Sequence, residues 1–263
     1  MSCLVMKFGG ASVSNTKNII KISEIIVEKS KQYKKLVVVV SAMGKTTNKL
    51  LKLAKTINEN PSKREQDMLI SVGERITMSL LSMALQKKGK KSISFTGSQG
   101  GIITTSDHLD AKIIEVKPFR VLKALNDNNI VIVAGFQGVS IEKEITTLGR
   151  GGSDTTAVAL AIALKAKLVE FYKDVDGIYS VDPKKNKNAI FYKKLSHEKA
   201  LKILDKNEHK ILHPRCVKLA SNNNISLNIL NFKRDKFLKK NKKFTNIEKE
   251  SFKKVSKNVY EIN

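Results

Sequence analysis

A chain of 263 residues, 41% hydrophobic and 28% charged, is long enough to bury a sizeable core and too apolar to be disordered. Its uninterrupted apolar runs fall short of the roughly 20 residues of a membrane span, and its two cysteines make neither a disulfide framework nor a metal cluster, so a cytoplasmic setting is expected. The net charge of +25 is dominated by lysine, with no Trp and few aromatics, which favours solvated basic faces over a nucleic-acid or membrane surface.

Residues 4–8 read as a buried strand running into Gly9-Gly10. Between 15 and 31, isoleucines at 19, 22, 25 and 26 fall at helical spacing, and 36–40 is an unbroken apolar run, as in a parallel strand covered on both faces. The three make a βαβ unit. Lys7 at the first strand's end, with Gly9 and Gly10 beyond it, suits a phosphate, although a lysine before a plain Gly-Gly turn is common. The loop over 41–47 contains Gly44-Lys45-Thr46, but a Walker motif needs a glycine five positions before Gly44, and residue 39 is Val. That loop still lies at a strand's carboxyl end, where open α/β sheets bind ligands.

Residues 48–58 and 64–87 read as helices, the second with Met68, Leu69, Val72, Ile76 and Leu80 on one face. Gly73 inside it costs about 1 kcal/mol relative to Ala. It either makes room for a substrate beside Glu74 or sits next to a solvated Glu74-Arg75 pair. Strand-like segments follow at 92–96 and 102–104, a short helix at 118–126, a buried strand at 130–134, and a small hairpin over 139–147. Then comes Leu148-Gly149-Arg150-Gly151-Gly152-Ser153-Asp154-Thr155-Thr156, before a helix expected over 157–166. Arg150 can grip a carboxylate or phosphate, Asp154 can orient a cation, and the helix N-terminus favours an anion. The same stretch also reads as an ordinary glycine-rich turn with Ser153 as the helix cap.

A strand at 167–172 leads into a loop over 173–184 marked by Asp-Gly and Asp-Pro turn signals; its aspartates either hold Mg²⁺ through water or merely form turns. Short helices are expected at 197–204 and 213–220, the second with Pro214 in its first turn and a structural His213, and a last strand at 225–230. Residues 232–257 turn to lysine, asparagine and phenylalanine and read as an extension or edge element.

In order, Lys7-Phe8-Gly9-Gly10-Ala11-Ser12, Ser41-Ala42-Met43-Gly44 through Thr47, Ser71-Val72-Gly73-Glu74, Gly135-Phe136-Gln137-Gly138, the Leu148 to Asp154 stretch, Asp174-Val175-Asp176-Gly177-Ile178-Tyr179 with Asp182-Pro183, and Lys210-Ile211-Leu212-His213-Pro214 resemble the motif series of the aspartokinase branch of the amino-acid kinase family, over about residues 4–232. The resemblance implies an α/β fold, a three-layer αβα sandwich around a largely parallel sheet of about eight strands. It implies a catalytic domain at 1–232 and a lysine-rich extension at 233–263 that includes the start of an ACT module. The implied reaction phosphorylates the side-chain carboxylate of L-aspartate with ATP, the first step toward lysine, threonine and methionine, with Mg²⁺ carried by the nucleotide rather than by protein ligands.

By the same resemblance Lys7 neutralises the transferred phosphoryl group and Asp154 orients that lysine and the metal. Thr47, Glu74, Arg150 and Ser153 are expected to hold aspartate, with Arg150 on a carboxylate and Glu74 on the ammonium. Gly9, Gly10, Ser12, Ser41, Gly151, Gly152, Asp174, Tyr179, Asp182, Lys184 and Lys210 are expected around the nucleotide. Ala11 and Lys173 depart from the threonines common in the family. Without complete ACT modules, feedback inhibition by lysine or threonine is not expected, and a homodimer would form through the kinase domain. Neither a nucleic-acid nor a membrane partner is expected. A sister kinase acting on glutamate or acetylglutamate and a non-catalytic regulatory relative are the alternatives.

Overall fold

The structure, a computed structural model, describes residues 3–181, 183, 186–206, 211–233, 243–249 and 258–261. The first unit forms as its pattern dictates: β1 (Cys3–Phe8), α1 (Thr16–Ser30) and β2 (Lys35–Val40), with β1 and β2 parallel from Cys3↔Lys35 to Phe8↔Val40. The side chain of Asn15 caps α1 by accepting from Asn18 N. The strands need apolar residues at every position because each feeds two cores. Leu4, Met6, Phe8, Leu36, Val38 and Val40 pack on one face, with α1 residues such as Ile22 and Ile26, while Val5, Val37 and Val39 pack on the other.

Next come α2 (Thr46–Ile57), α3 (Lys63–Ile70) and α4 (Val72–Lys87). The single helix expected over 64–87 is two, with Ser71 closing α3 and opening α4. Taken as one path, Lys63–Lys87 is by length and composition long and apolar enough to cross a membrane; half of its most apolar window is buried inside this fold. Gly73 therefore lies in the first turn of α4, not in a helix interior. A Cβ there would come 2.7 Å from the Ala42 Cβ, so this glycine lets α4 close against the loop after β2. It does not make room beside Glu74.

The middle of the chain supplies β3 (Ser92–Phe95), β4 (Ile102–Thr104), β5 (Ile113–Val116), α5 (Phe119–Asn126), β6 (Ile130–Ala134), β7 (Gln137–Ser140) and β8 (Ile145–Thr147). The hairpin expected over 139–147 is the antiparallel β7–β8 pair. It joins β4 and β5 in a second, four-stranded sheet ordered β5-β4-β7-β8, which the sequence did not announce. Strands of three or four residues are too short to show a period of two.

The remainder gives α6 (Gly152–Ala163), β9 (Leu168–Lys173), β10 (Lys194–Ser196), α7 (His197–Lys206), α8 (Pro214–Asn222), β11 (Ser226–Asn231) and β12 (Thr245–Glu248). The main sheet is ordered β10-β12-β11-β9-β1-β2-β6-β3, with every neighbouring pair parallel except β11–β12. This is the α/β fold with the largely parallel eight-stranded sheet expected. Part of the lysine-rich segment beyond 232 enters the sheet as β12, between β10 and β11. Helix α6 begins five residues earlier than expected and is buried from Gly152 to Ile162, packed on β1, β2 and β9.

Phe8 stacks on Tyr172 at 4.6 Å, and the Tyr172 hydroxyl donates to Glu170 Oε2 at 2.7 Å. Lys29 Nζ of α1 reaches Glu170 Oε1 at 2.5 Å, tying the helix to β9 through a buried ion pair. Residues 258–261 lie against the domain: Asn223 donates to Val259 O and accepts from Val259 N, and Glu261 pairs with Arg215. The residues expected to begin an ACT strand otherwise lie outside those described.

The Gly73 contact makes a prediction. Gly73→Ala should lose about 1–3 kcal/mol by overpacking despite alanine's better helix propensity. Adding Ala42→Gly should restore most of the loss, as read by urea unfolding of both variants.

Candidate functional site

The site lies at the carboxyl ends of β1, β2, β6 and β9. Lys7 is next to last in β1 and shares the strand face of Val5, which looks toward α6. Lys7 pairs with Phe171, so Lys173, two residues further along the adjacent strand, emerges on the same face. Asp154, in the first turn of α6, meets both lysines. Lys7 Nζ is 2.6 Å from Asp154 Oδ1, and Lys173 Nζ is 3.1 and 3.3 Å from its two oxygens. Lys7 is 4% exposed and Asp154 6%. Burial alone would raise the Asp154 pKa, but the charges of Lys173 and Lys7 outweigh it and hold the carboxyl at about 2. Burial lowers the Lys7 pKa, with Lys173 adding to the effect and Asp154 opposing it.

Glu74, also in a first turn, points from α4 toward the loop after β2. It is 2% exposed; Oε1 accepts from Ala42 N at 2.9 Å, while Oε2 is buried with no hydrogen-bond partner among the described residues. Burial raises its pKa to about 7 against the lowering effect of the Ala42 amide and Lys7. A buried acceptor left unpaired is costly, and a cationic donor would relieve it.

Two cavities meet at Lys7 and Gly10. The first, of about 340 Å³, is lined by Thr47, Glu74, Arg150, Ser153 and Asp154 among others. The second, of about 460 Å³, is lined by Gly9, Ala11, Ser12, Lys173 and Asp174 among others. The glycine-rich turn between β8 and α6 edges the first. Gly151 has φ +73°, and a Cβ there would come 2.3 Å from the His213 Cβ, so no other residue fits without displacing α8. Gly151 is also the N-cap of α6, so Ser153 does not take the capping place that one reading of the stretch gave it, and no side chain among the described residues caps that helix. Its N-terminus borders the first cavity, a setting that favours an anion.

Lys7, Asp154, Thr47, Glu74, Arg150 and Ser153 thus converge as their motifs suggested. Gly9, Ser12 and Asp174 line the second cavity and Gly10 both. Ser41, Gly151 and Gly152, expected beside the nucleotide, line the first cavity instead. Tyr179 lines neither; its ring lies edge-on to Phe191 at 5.1 Å with Lys243 Nζ 5.2 Å from its centroid. Asp182, Lys184 and Lys210 lie outside the described residues. Lys173 was given no role from the sequence, yet it completes the charge cluster; the signal was its place at the end of β9, in step with Lys7.

A profile of the amino acid kinase family matches residues 2–231. An aspartokinase of Bacillus sp. (strain MGA3) is 47% identical over 229 residues, 87% of this chain and 56% of the relative. One from Mycolicibacterium smegmatis is 48% identical over 237 residues, 90% of this chain and 56% of the relative. The crystal structure of aspartate kinase from Synechocystis has a TM-score of 0.82 at 39% identity and covers 97% of this chain and 41% of its own. The chain therefore spans about half the length of the curated relatives it matches.

The buried carboxyl of Glu74 carries a pH signature. The native state keeps this proton up to about pH 7, whereas the unfolded chain releases it near 4.5, so the group's contribution is fully present below 4.5 and is lost as pH rises through 7. Glu74→Gln should therefore be more stable than the parent at pH 8 by about 2–3 kcal/mol more than at pH 4. Urea unfolding without ligands at the two pH values checks the difference.

Proposed function

The chain belongs to the amino acid kinase family, and from that premise we propose that it is an aspartate kinase. The reaction transfers the γ-phosphoryl group of ATP to the side-chain carboxylate of L-aspartate, giving 4-phospho-L-aspartate and ADP. The observation that carries this reading is the buried Oε2 of Glu74, which has no hydrogen-bond partner among the described residues, on a residue that lines the same cavity as Arg150. An acid and a guanidinium lining one cavity suit a substrate with both an ammonium and a carboxylate. That chemistry disfavours acetylglutamate, which lacks the ammonium. The relatives at 47–48% identity bear the name aspartokinase, which supports the same choice over glutamate.

In this reading Glu74 takes the ammonium, Arg150 a carboxylate, and Thr47 and Ser153 complete the amino-acid site. The second cavity takes the nucleotide, with its phosphates toward Gly9, Gly10 and Ser12. Mg²⁺ would arrive with the nucleotide phosphates. Asp174, which lines that cavity, is the carboxylate that would hold it there, and the ion would neutralise phosphate oxygens. Lys7, at the junction, neutralises charge on the transferred group, and Asp154 holds that ammonium in place. The substrate carboxylate oxygen forms the new bond to phosphorus as the bond to the β-phosphate oxygen breaks, and ADP leaves with the electron pair. No proton needs removal, so the protein contributes alignment and charge rather than a base.

Hydroxylamine trapping of the acyl phosphate, with aspartate, glutamate and acetylglutamate compared, should give ATP-dependent hydroxamate chiefly from aspartate. No hydroxamate from any of the three would end the acyl-kinase reading and leave a non-catalytic relative. Lys7→Ala should lower kcat by roughly 10³-fold with the fold intact. Glu74→Ala should raise the aspartate KM by roughly 10- to 100-fold, and an unchanged KM would refute its assignment to the ammonium.

A further inference from the structure

Asp67 on α3 is fully buried, and none of the roles above uses it. Three donors converge on its carboxylate. Thr147 Oγ1 donates to Oδ1 at 2.5 Å, Leu109 N approaches both oxygens at 3.3 and 3.2 Å, and His108 Nδ1 lies 2.7 Å from Oδ2. Thr147 ends β8 and is followed at once by Leu148, Gly149 and Arg150. Leu109 sits at φ +70°, unusual for a residue with a Cβ, and its turn is the surface on which Gly149 rests. A Cβ at Gly149 would come 2.9 Å from Asp110 Oδ1 and 3.0 Å from Leu109 O. Ala111 N closes the arrangement by donating to Thr147 O at 3.0 Å.

The helix that carries Asp67 also leads directly into the segment that carries Glu74. Ser71 N donates to the Asp67 carbonyl at 3.1 Å, at the junction where α4 begins and turns Glu74 inward. Gln137 Nε2, at the start of β7, donates to Ser71 O at 2.6 Å. The segment bearing Glu74 and the hairpin bearing the Arg150 turn are thus tied twice, through Asp67–Thr147 and Ser71–Gln137. Both ties are buried, where a charge-assisted bond is strong and resists slippage.

We propose that Asp67 is a positioning residue that fixes the gap between Glu74 and Arg150 and thereby selects the length of the amino acid accepted, a four-carbon dicarboxylic amino acid over its five-carbon homologue. The inference rests on reading the first cavity as the amino-acid site. Discrimination by one methylene depends on rigid walls and is worth roughly 10- to 200-fold, so loosening one wall should erode it.

The test compares the parent chain, Asp67→Asn, Thr147→Val and Thr147→Ser by hydroxamate kinetics and by calorimetric binding of aspartate and glutamate. Thr147→Val and Asp67→Asn should raise the aspartate KM about tenfold, leave the ATP KM in place, and reduce the aspartate-to-glutamate preference about tenfold. Thr147→Ser, which keeps the hydroxyl, should behave as the parent. If Asp67→Asn does not fold, the near-isosteric Thr147 pair decides. An unchanged preference in Thr147→Val, or aspartate and ATP constants that rise together, overturns the proposal while leaving the kinase reading standing. A parent chain that neither binds aspartate nor makes hydroxamate overturns both.

Discussion

A carboxylate buried as deeply as Asp154 stays ionised only when cations offset its lost hydration, and here two do so from adjacent strands. The arrangement needs several things at once. The parallel register of β1 and β9 must bring Lys7 and Lys173 out on one face, and α6 must present its first turn to that face. The glycines before α6 must let the turn pass under α8. Removing one partner of a buried ionic cluster leaves its charge less fully compensated, so the sheet register and the helix start both set the electrostatics here.

Glu74 is the counterpart. Both carboxyl groups occupy first turns of helices and both are buried, but their environments push them in opposite directions, Asp154 down to about 2 and Glu74 up to about 7. One has its cations built in; the other has one amide and an empty acceptor. That difference divides labour along the wall of a single cavity. The ion pair is internal to the protein, whereas the second oxygen of Glu74 has no hydrogen-bond partner among the described residues.

Much of this was legible in the sequence because the site is made of short contiguous motifs. The apolar runs of β1 and β2 announced strands buried on both faces, and Lys7, Glu74, Arg150 and Asp154 stood out by chemistry within their motifs. What stayed hidden needed register or long-range contact. Lys173 looked like a departure from a family pattern until β9 was aligned with β1. Asp67 carries no sequence signal, because its partner Thr147 lies 80 positions later. Gly73 suggested room for a ligand, but the space it vacates is filled by Ala42. In the second sheet only β5 carried no signal, β10 is too brief to carry a periodic one, and β12 lay in a lysine-rich stretch that read as an extension or edge element.

The place of β12 bears on the order in which the chain acquires its shape. Among the described residues β10 pairs in the main sheet with β12 alone, which follows it by about 50 residues. This edge cannot assemble until residues 245–248 have been made and have paired with β11. The loop carrying Asp174 waits on the same event, since Thr245 Oγ1 accepts from Ile178 N at 2.9 Å and donates to Tyr192 O at 2.6 Å. Closing so long a loop carries an entropy cost before any contact offsets it, which makes this a late step in folding. On a ribosome, the half of the domain that bears Glu74 and Arg150 can therefore consolidate while the half that bears Asp174 is still waiting for its last strand.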